Sequence, residues 1–150
     1  MNIAIGSDHG GFLLKEDISR WLADNGHEVT DYGCDSEESV DYPVYALKVA
    51  KQVAAGFHDI GVLVCGTGIG MAMTANKVAG IRAALVNDVY SAAHARRHND
   101  ANIIALGGRI VTPEQAKDIV RTFLESEFEA GRHARRVDEI MEVENDWGKK

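Results

Sequence analysis

Five short apolar runs, at residues 2–6, 27–32, 62–64, 81–86 and 102–106, alternate along this chain with stretches of helical spacing. Each run is closed by a glycine or a small polar residue. This alternation leaves few folding options. Strands separated by helix-length connections pair in parallel, and the connecting helices must cover both faces of the sheet. The expected architecture is one Rossmann-like three-layer α/β/α domain over residues 1–150, with a five-stranded parallel sheet and a C-terminal helical tail.

The helical stretches carry matching stripes. Leu14, Ile18, Trp21 and Leu22 share one face of a first helix, which Gly26 is placed to end. A polar loop over 33–41 precedes Pro43, suited to a first helical turn, and Ala46, Val49, Ala50 and Val53 form the next buried stripe. A fourth helix starts near Val89 and carries His94, Arg96, Arg97, His98 and Asn99. Thr112-Pro113-Glu114-Gln115 combines an N-cap, a proline at N1 and a capping-box glutamine, ahead of Ala116, Ile119, Val120 and Phe123. The tail from about Glu127 passes through Gly131-Arg132-His133 into a last helix with Val137, Ile140 and Met141 in its stripe. No repeat, low-complexity linker or domain boundary interrupts the pattern.

Net charge narrows the partners. At −7 over 150 residues, the chain is a poor candidate for general nucleic-acid binding or for an anionic membrane surface. Two cysteines, Cys34 and Cys65, make no disulfide framework and suit a reducing compartment. The chain opens almost directly on a strand pattern, without a basic-then-apolar leader, and no apolar run approaches membrane-spanning length. The expected setting is the cytoplasm.

The stretch richest in chemistry is Gly61-Val62-Leu63-Val64-Cys65-Gly66-Thr67-Gly68-Ile69-Gly70. A buried strand ends at Cys65, a glycine loop opens, and a helix begins near Met71. Glycines let backbone N–H groups crowd round an anion, and the helix behind adds the positive end of its dipole. A thiol at that point has its basicity and nucleophilicity tuned. Ligands of parallel sheets bind beyond the carboxyl ends of the strands. Asp8, His9, Cys65, the 66–70 loop, Asn87 and Arg109 all fall on that rim.

Other chemistries fit less well. Gly66-Thr67-Gly68-Ile69-Gly70 resembles half of a dinucleotide fingerprint, but Met71 stands where the third small residue belongs. No Gly-Lys-Ser/Thr follows any glycine loop, so there is no P-loop. A cysteine phosphatase would need an arginine at 71. His98 and Asn99 are candidate partners for a papain-like thiol. His94 and His98, at i and i+4, make half a metal site, yet no neighbouring Glu or Cys in the sequence completes it; a solvated helix face is the simpler reading. Arg132, His133, Arg135 and Arg136 form a basic cluster in an acidic protein, and Arg132 and Arg136 can reach one anion if the turn is helical. A solvated charge run is the competing reading. Cys34, in a polar loop, is read as incidental, and no role is assigned to His133.

Taken together, these residues resemble the family of ribose-5-phosphate isomerase B and the related hexose-phosphate isomerases, over essentially the whole chain. The carriers are Gly6-Ser7-Asp8-His9-Gly10-Gly11, Asp41-Tyr42-Pro43, Cys65-Gly66-Thr67-Gly68-Ile69-Gly70, Ala75-Asn76-Lys77, Gly80-Ile81-Arg82-Ala83, Arg97-His98-Asn99-Asp100, Gly107-Gly108-Arg109 and Gly131-Arg132-His133. The resemblance implies an aldose–ketose isomerase that interconverts ribose 5-phosphate and ribulose 5-phosphate through an enediolate. It implies Cys65 as the base moving a proton between C1 and C2, and His98 as the group that opens the furanose ring. Asp8, His9, Tyr42 and Asn99 are implied in sugar binding. Gly66, Thr67, Gly68, Ile69 and Gly70 are implied as the loop whose amides hold the enediolate. Arg109, Arg132 and Arg136 are implied as further ligand contacts, the last two on the phosphate. One branch of the family uses a glutamate at the position of Met71, so this chain resembles the thiol branch. Neither a redox cofactor nor a metal is expected.

Within that class a hexose 6-phosphate or a tetrose phosphate is an alternative substrate. From another class, a non-catalytic sugar-phosphate sensor is the competing reading. Topology separates two of these residues: a crossover helix returns to the amino edge of the next strand, so His98 and Asn99 should lie at the sheet's opposite end from Cys65. A five-residue strand spans roughly 16 Å, too far for both groups to touch one small sugar. Either the fourth helix stops early and loops back, or a partner subunit brings its own His98 to Cys65; the family resemblance implies the second, a homodimer with shared sites, alone or as a dimer of dimers, with the subunit that supplies Arg109 left open.

Overall fold

A computed structural model describes residues 1–147. Its element order follows the alternation: β1 (Asn2–Ser7), α1 (Phe12–Asp24), β2 (Glu28–Asp31), α2 (Tyr42–Ala54), β3 (Ile60–Cys65), α3 (Ile69–Ala75), β4 (Ala83–Leu85), α4 (Val89–Arg97), β5 (Ile103–Gly107), α5 (Pro113–Glu125) and α6 (Arg132–Trp147). A single 3-10 turn, His9–Gly11, precedes α1. The last three positions of the domain expected over 1–150 lie outside the described residues.

All five strands are parallel, in the order β2-β1-β3-β5-β4. Side-chain alternation divides the core into two layers, as a period of two requires. Ile3, Ile5, Val62, Val64, Ile104 and Leu106 pack against α1, α4 and α5 through Ile18, Leu22, Ala92, Ile119 and Phe123. Ala4, Leu63, Cys65, Ile103 and Ala105 pack on the other face against α2 and α3, through Val49, Ala50, Met71 and Ala75. Burial on both faces explains why β3 and β5 read as unbroken apolar runs.

The direction in which successive strands are added to the sheet reverses at β1. The connection through α1 leads to β2 on one side, and the connection through α2 returns to β3 on the other. The helices on either side of this point lie on opposite faces, which opens a crevice beyond the carboxyl ends of β1 and β3. Asp8 follows β1 there, and Cys65 ends β3.

Boundaries agree with the sequence reading to within a residue or two, with two informative differences. Helix α3 begins at Ile69 rather than near Met71, because Gly68 takes a left-handed φ of 80° and turns the chain into the helix two residues early. Strand β4 shortens from the expected 81–86 to three residues; it is an edge strand, paired only through β5. The capping box of α5 is present: Gln115 N donates to Thr112 Oγ1 at 3.2 Å, and Thr112 N donates to Gln115 Oε1 at 2.9 Å. No helix among the described residues is long and apolar enough to cross a membrane.

Candidate active site

The crevice gathers much of the expected rim. Cys65 is buried at the end of β3, and its sulfur accepts a hydrogen bond from Gly68 N at 3.1 Å. Gly68 can aim that amide inward only because it is left-handed and bare: a Cβ there would lie 2.6 Å from Leu85 and 2.9 Å from the Leu106 carbonyl carbon. Ile69 N donates to Thr67 Oγ1 at 3.3 Å. Two of the amides expected to face a ligand are therefore engaged within the loop.

Around the thiol, Asp8 is buried and its Oδ1 accepts from Gly11 N at 3.1 Å, capping the 3-10 turn. His9 accepts from Val40 N at Nδ1, 3.1 Å away, so the neutral ring carries its proton on Nε2 and offers a donor there. Tyr42 lies over Gly70, where an added Cβ would come 2.6 Å from the phenol ring. The Arg109 guanidinium rests on Gly66, 3.1 Å from an added Cβ, and Arg109 N donates to Gly66 O at 3.0 Å. Arg109 therefore stands beside Cys65 of its own chain.

His98, Asn99, Arg132 and Arg136 are not brought to this crevice. His98 is the C-cap of α4, and Asn99 and Asp100 lead into β5. In the β3–β5 register Gly61 faces Ile103 and Cys65 faces Gly107, so the amino end of β5 is four residues, or roughly 13 Å, from the level of the thiol. The turn after His98 is firmly held. Asp100, at φ 44°, takes Arg82 Nη2 at 3.2 Å and Arg96 Nη1 at 2.8 Å, and Arg82 Nε donates to Asn99 O at 3.1 Å.

This second cluster holds residues that the sequence reading did not join to His98. The rings of His98 and His133 stack at 4.0 Å with an interplanar angle of 8°. Glu129 Oε2 lies 3.7 Å from each Nε2. His94 meets His98 edge-on at 4.6 Å and itself stacks on Tyr90 at 4.0 Å. Glu129 arrives from the α5–α6 linker, 31 positions from His98 and so not one of its sequence neighbours; its i, i+4 spacing to His133 was the available signal. The donor atoms of His98, Glu129 and His133 lie within 4.8 Å of one another, close enough to suggest a metal. Parallel rings, however, run their nitrogen lone pairs side by side instead of converging them on one ion. Burial pushes the His133 pKa down, and the charges of His98, Arg132 and Arg136 push the same way, against Glu129.

A five-stranded parallel sheet with a thiol and a glycine loop at its switch point makes this a Rossmann-like α/β protein. Residues 3–140 match the Ribose/Galactose Isomerase family model, and the chain belongs to that family. It is 49% identical over 142 residues to ribose-5-phosphate isomerase B of Escherichia coli, covering 95% of each chain. Its fold is similar to that of ribose-5-phosphate isomerase B from Clostridium thermocellum, with a TM-score of 0.97 and 52% identity over 98% of this chain and 99% of that one. It is also similar to the Mycoplasma genitalium enzyme with bound ribulose-5-phosphate, at a TM-score of 0.93 and 44% identity over 97% of each chain.

Proposed function

We propose that this chain is an aldose–ketose isomerase interconverting ribose 5-phosphate and ribulose 5-phosphate, with Cys65 as the base. The carrying observation is the Cys65 sulfur facing the Gly68 amide at 3.1 Å, at the switch point of a sheet whose family acts on sugars. An enediolate intermediate needs one base that serves C1 and C2 in turn, and donors where negative charge develops. The thiol supplies the base. The free amides of the loop and the Nε2–H of His9 supply donors, and Arg109 supplies positive charge beside them.

The site is completed by a second copy of the chain in this reading. His98 and the tail arginines lie at the far end of the sheet from their own Cys65. Exposed apolar side chains beside the loop and along the β4 edge (Ile69, Met73, Leu85, Val89 and Tyr90) offer the surface that a partner would cover. Both cysteines are unpaired, which fits a cytoplasmic setting.

A coupled assay of the purified protein against ribose, hexose and tetrose phosphates tests the reading. The highest kcat/KM is expected for ribose 5-phosphate. A higher value for a hexose or tetrose phosphate would move the assignment within the class. Binding without turnover of any of them would support a sensor.

A further inference from the structure

The proposed chemistry leaves Arg82 unused, yet its side chain is only 17% exposed. It sits just before β4, with its backbone pinned to the residue that precedes β5. Arg82 N donates to Asn102 Oδ1 at 2.9 Å, and Asn102 N donates to Arg82 O at 3.1 Å. From there the guanidinium reaches the turn that follows His98. Nε donates to Asn99 O at 3.1 Å, and Nη2 donates to Asp100 O at 2.7 Å and to Asp100 Oδ2 at 3.2 Å. Arg96 Nη1 adds a bond to Asp100 Oδ1 at 2.8 Å. Asp100 holds a φ of 44°, a left-handed conformation that is costly for a residue with a Cβ, and these bonds maintain it. The remaining arm of Arg82, Nη1, donates to Met141 Sδ at 3.3 Å on α6, the helix that carries Arg132 and Arg136. One side chain therefore bonds both segments that lie far from their own Cys65.

We propose that Arg82 is a positioning residue: it locks the His98–Asn99 turn to helix α6 as one unit, which the chain presents to the Cys65 of a second copy. The inference rests on the reading of the site as shared between two chains. A guanidinium suits this task because its donors lie in one rigid plane, so it fixes two successive carbonyls and a carboxylate in a set geometry. A flexible, hydrated ammonium lacks that fork. The turn directs the imidazole of His98 and the amide of Asn99, and α6 aims the tail arginines. Loss of the tie misplaces these groups around the sugar phosphate without removing any of them. A misplacement of about 1 Å costs a reaction up to about a hundredfold.

The test sorts Arg82 by complementation. Arg82→Met should fold, with kcat/KM for ribose 5-phosphate about tenfold to a hundredfold below wild type. Mixed with Cys65→Ala subunits under exchange, it should regain activity, because a hybrid dimer holds one site with both the thiol and the turn intact. Mixed with His98→Asn subunits it should not, because each hybrid site then carries one damaged turn. A general folding defect would not distinguish the two partners. Recovery with His98→Asn, or none with Cys65→Ala in hybrids demonstrated by mass spectrometry, overturns the role of Arg82. So does a wild-type kcat/KM in Arg82→Met alone. The control is the mixture of Cys65→Ala with His98→Asn: if its hybrids stay inactive, the shared-site reading falls and this proposal falls with it. If Arg82→Met melts early, Arg82→Lys keeps the charge without the fork. A smaller loss with the same sorting supports the proposal, and an unchanged kcat/KM overturns it.

Discussion

Gly68 N donates to Cys65 Sγ across 3.1 Å, so the loop's single left-handed glycine is also the donor held against the thiol. In the proposed mechanism, negative charge formed on sulfur would meet a fixed dipole there, with no reorganisation needed during reaction. Cys65→Ala should lower kcat by about 10²–10⁴-fold, the usual worth of a positioned base. Thermal unfolding should change little, since one small side chain at the end of a strand is lost. Near-normal kcat in this variant would remove the thiol from the mechanism.

Tyr42 and Gly70 should be coupled. A methyl at position 70 would sit 2.6 Å from the Tyr42 ring, so Gly70→Ala must displace the phenol or the loop. Overpacking of this kind costs about 1–3 kcal/mol, and KM for the sugar phosphate should rise. In the Gly70→Ala/Tyr42→Ala double variant the stability loss should be less than the sum of the two single losses. Strict additivity in a double-mutant cycle would show that the two residues do not touch.

Lys15 sets the alkaline stability of the rim. Its ammonium is buried in α1, bonded to Asp31, to Glu16 at 3.0 Å and to Cys34 O at 2.9 Å. Burial pulls its pKa down, but Asp31 and Glu16 outweigh that and the net direction is up. A folded value above the unfolded one means that the contribution is fully present below about pH 10.4 and fades as pH climbs through the raised value. Lys15→Met should cost about 2–3 kcal/mol at neutral pH, somewhat less than breaking a fully buried pair, because Asp31 is partly exposed. Urea titrations at pH 7 and pH 11 should show the gap between wild type and variant narrowing at the higher pH. A gap unchanged by pH would mean that packing, not charge, is what Lys15 contributes.

Arg132→Ala and Arg136→Ala should act on phosphate. Each charge-assisted hydrogen bond is worth about 1.5–3 kcal/mol, so KM for ribose 5-phosphate should rise about tenfold to a hundredfold in either variant. Binding of free ribose should change far less. Equal losses on both sugars would identify the cluster as a solvated face.

Cys65 and His98 should complement between chains. Cys65→Ala and His98→Asn homo-oligomers should each have impaired isomerisation of ribose 5-phosphate. Mixed subunits, under conditions that allow exchange, should regain activity, because a hybrid dimer holds one site with both groups intact. Heterodimers demonstrated by mass spectrometry yet no more active than the parent variants would require both residues to act within one chain.

Much of this molecule was legible along the chain because the signals are local. The period of Leu14, Ile18 and Leu22, the capping box of Thr112 and Gln115, and the glycine loop after Cys65 are each written within a few residues of one another. The two-sided sheet and the carboxyl-edge rim follow from them with little freedom. What the sequence by itself did not determine depends on contacts between distant segments. The order β2-β1-β3-β5-β4 is decided by which faces pack best against which helices. Val40 reaches His9 across 31 positions, and Glu129 reaches His98 across the same number, though no local pattern joins either pair. The buried lysine at position 15 sits on an otherwise ordinary amphipathic helix, and only the folded β2 edge shows its partners. Local propensity chooses the elements; the long-range packing of those elements chooses which polar groups meet, and that decided the surroundings of Cys65 and of His98.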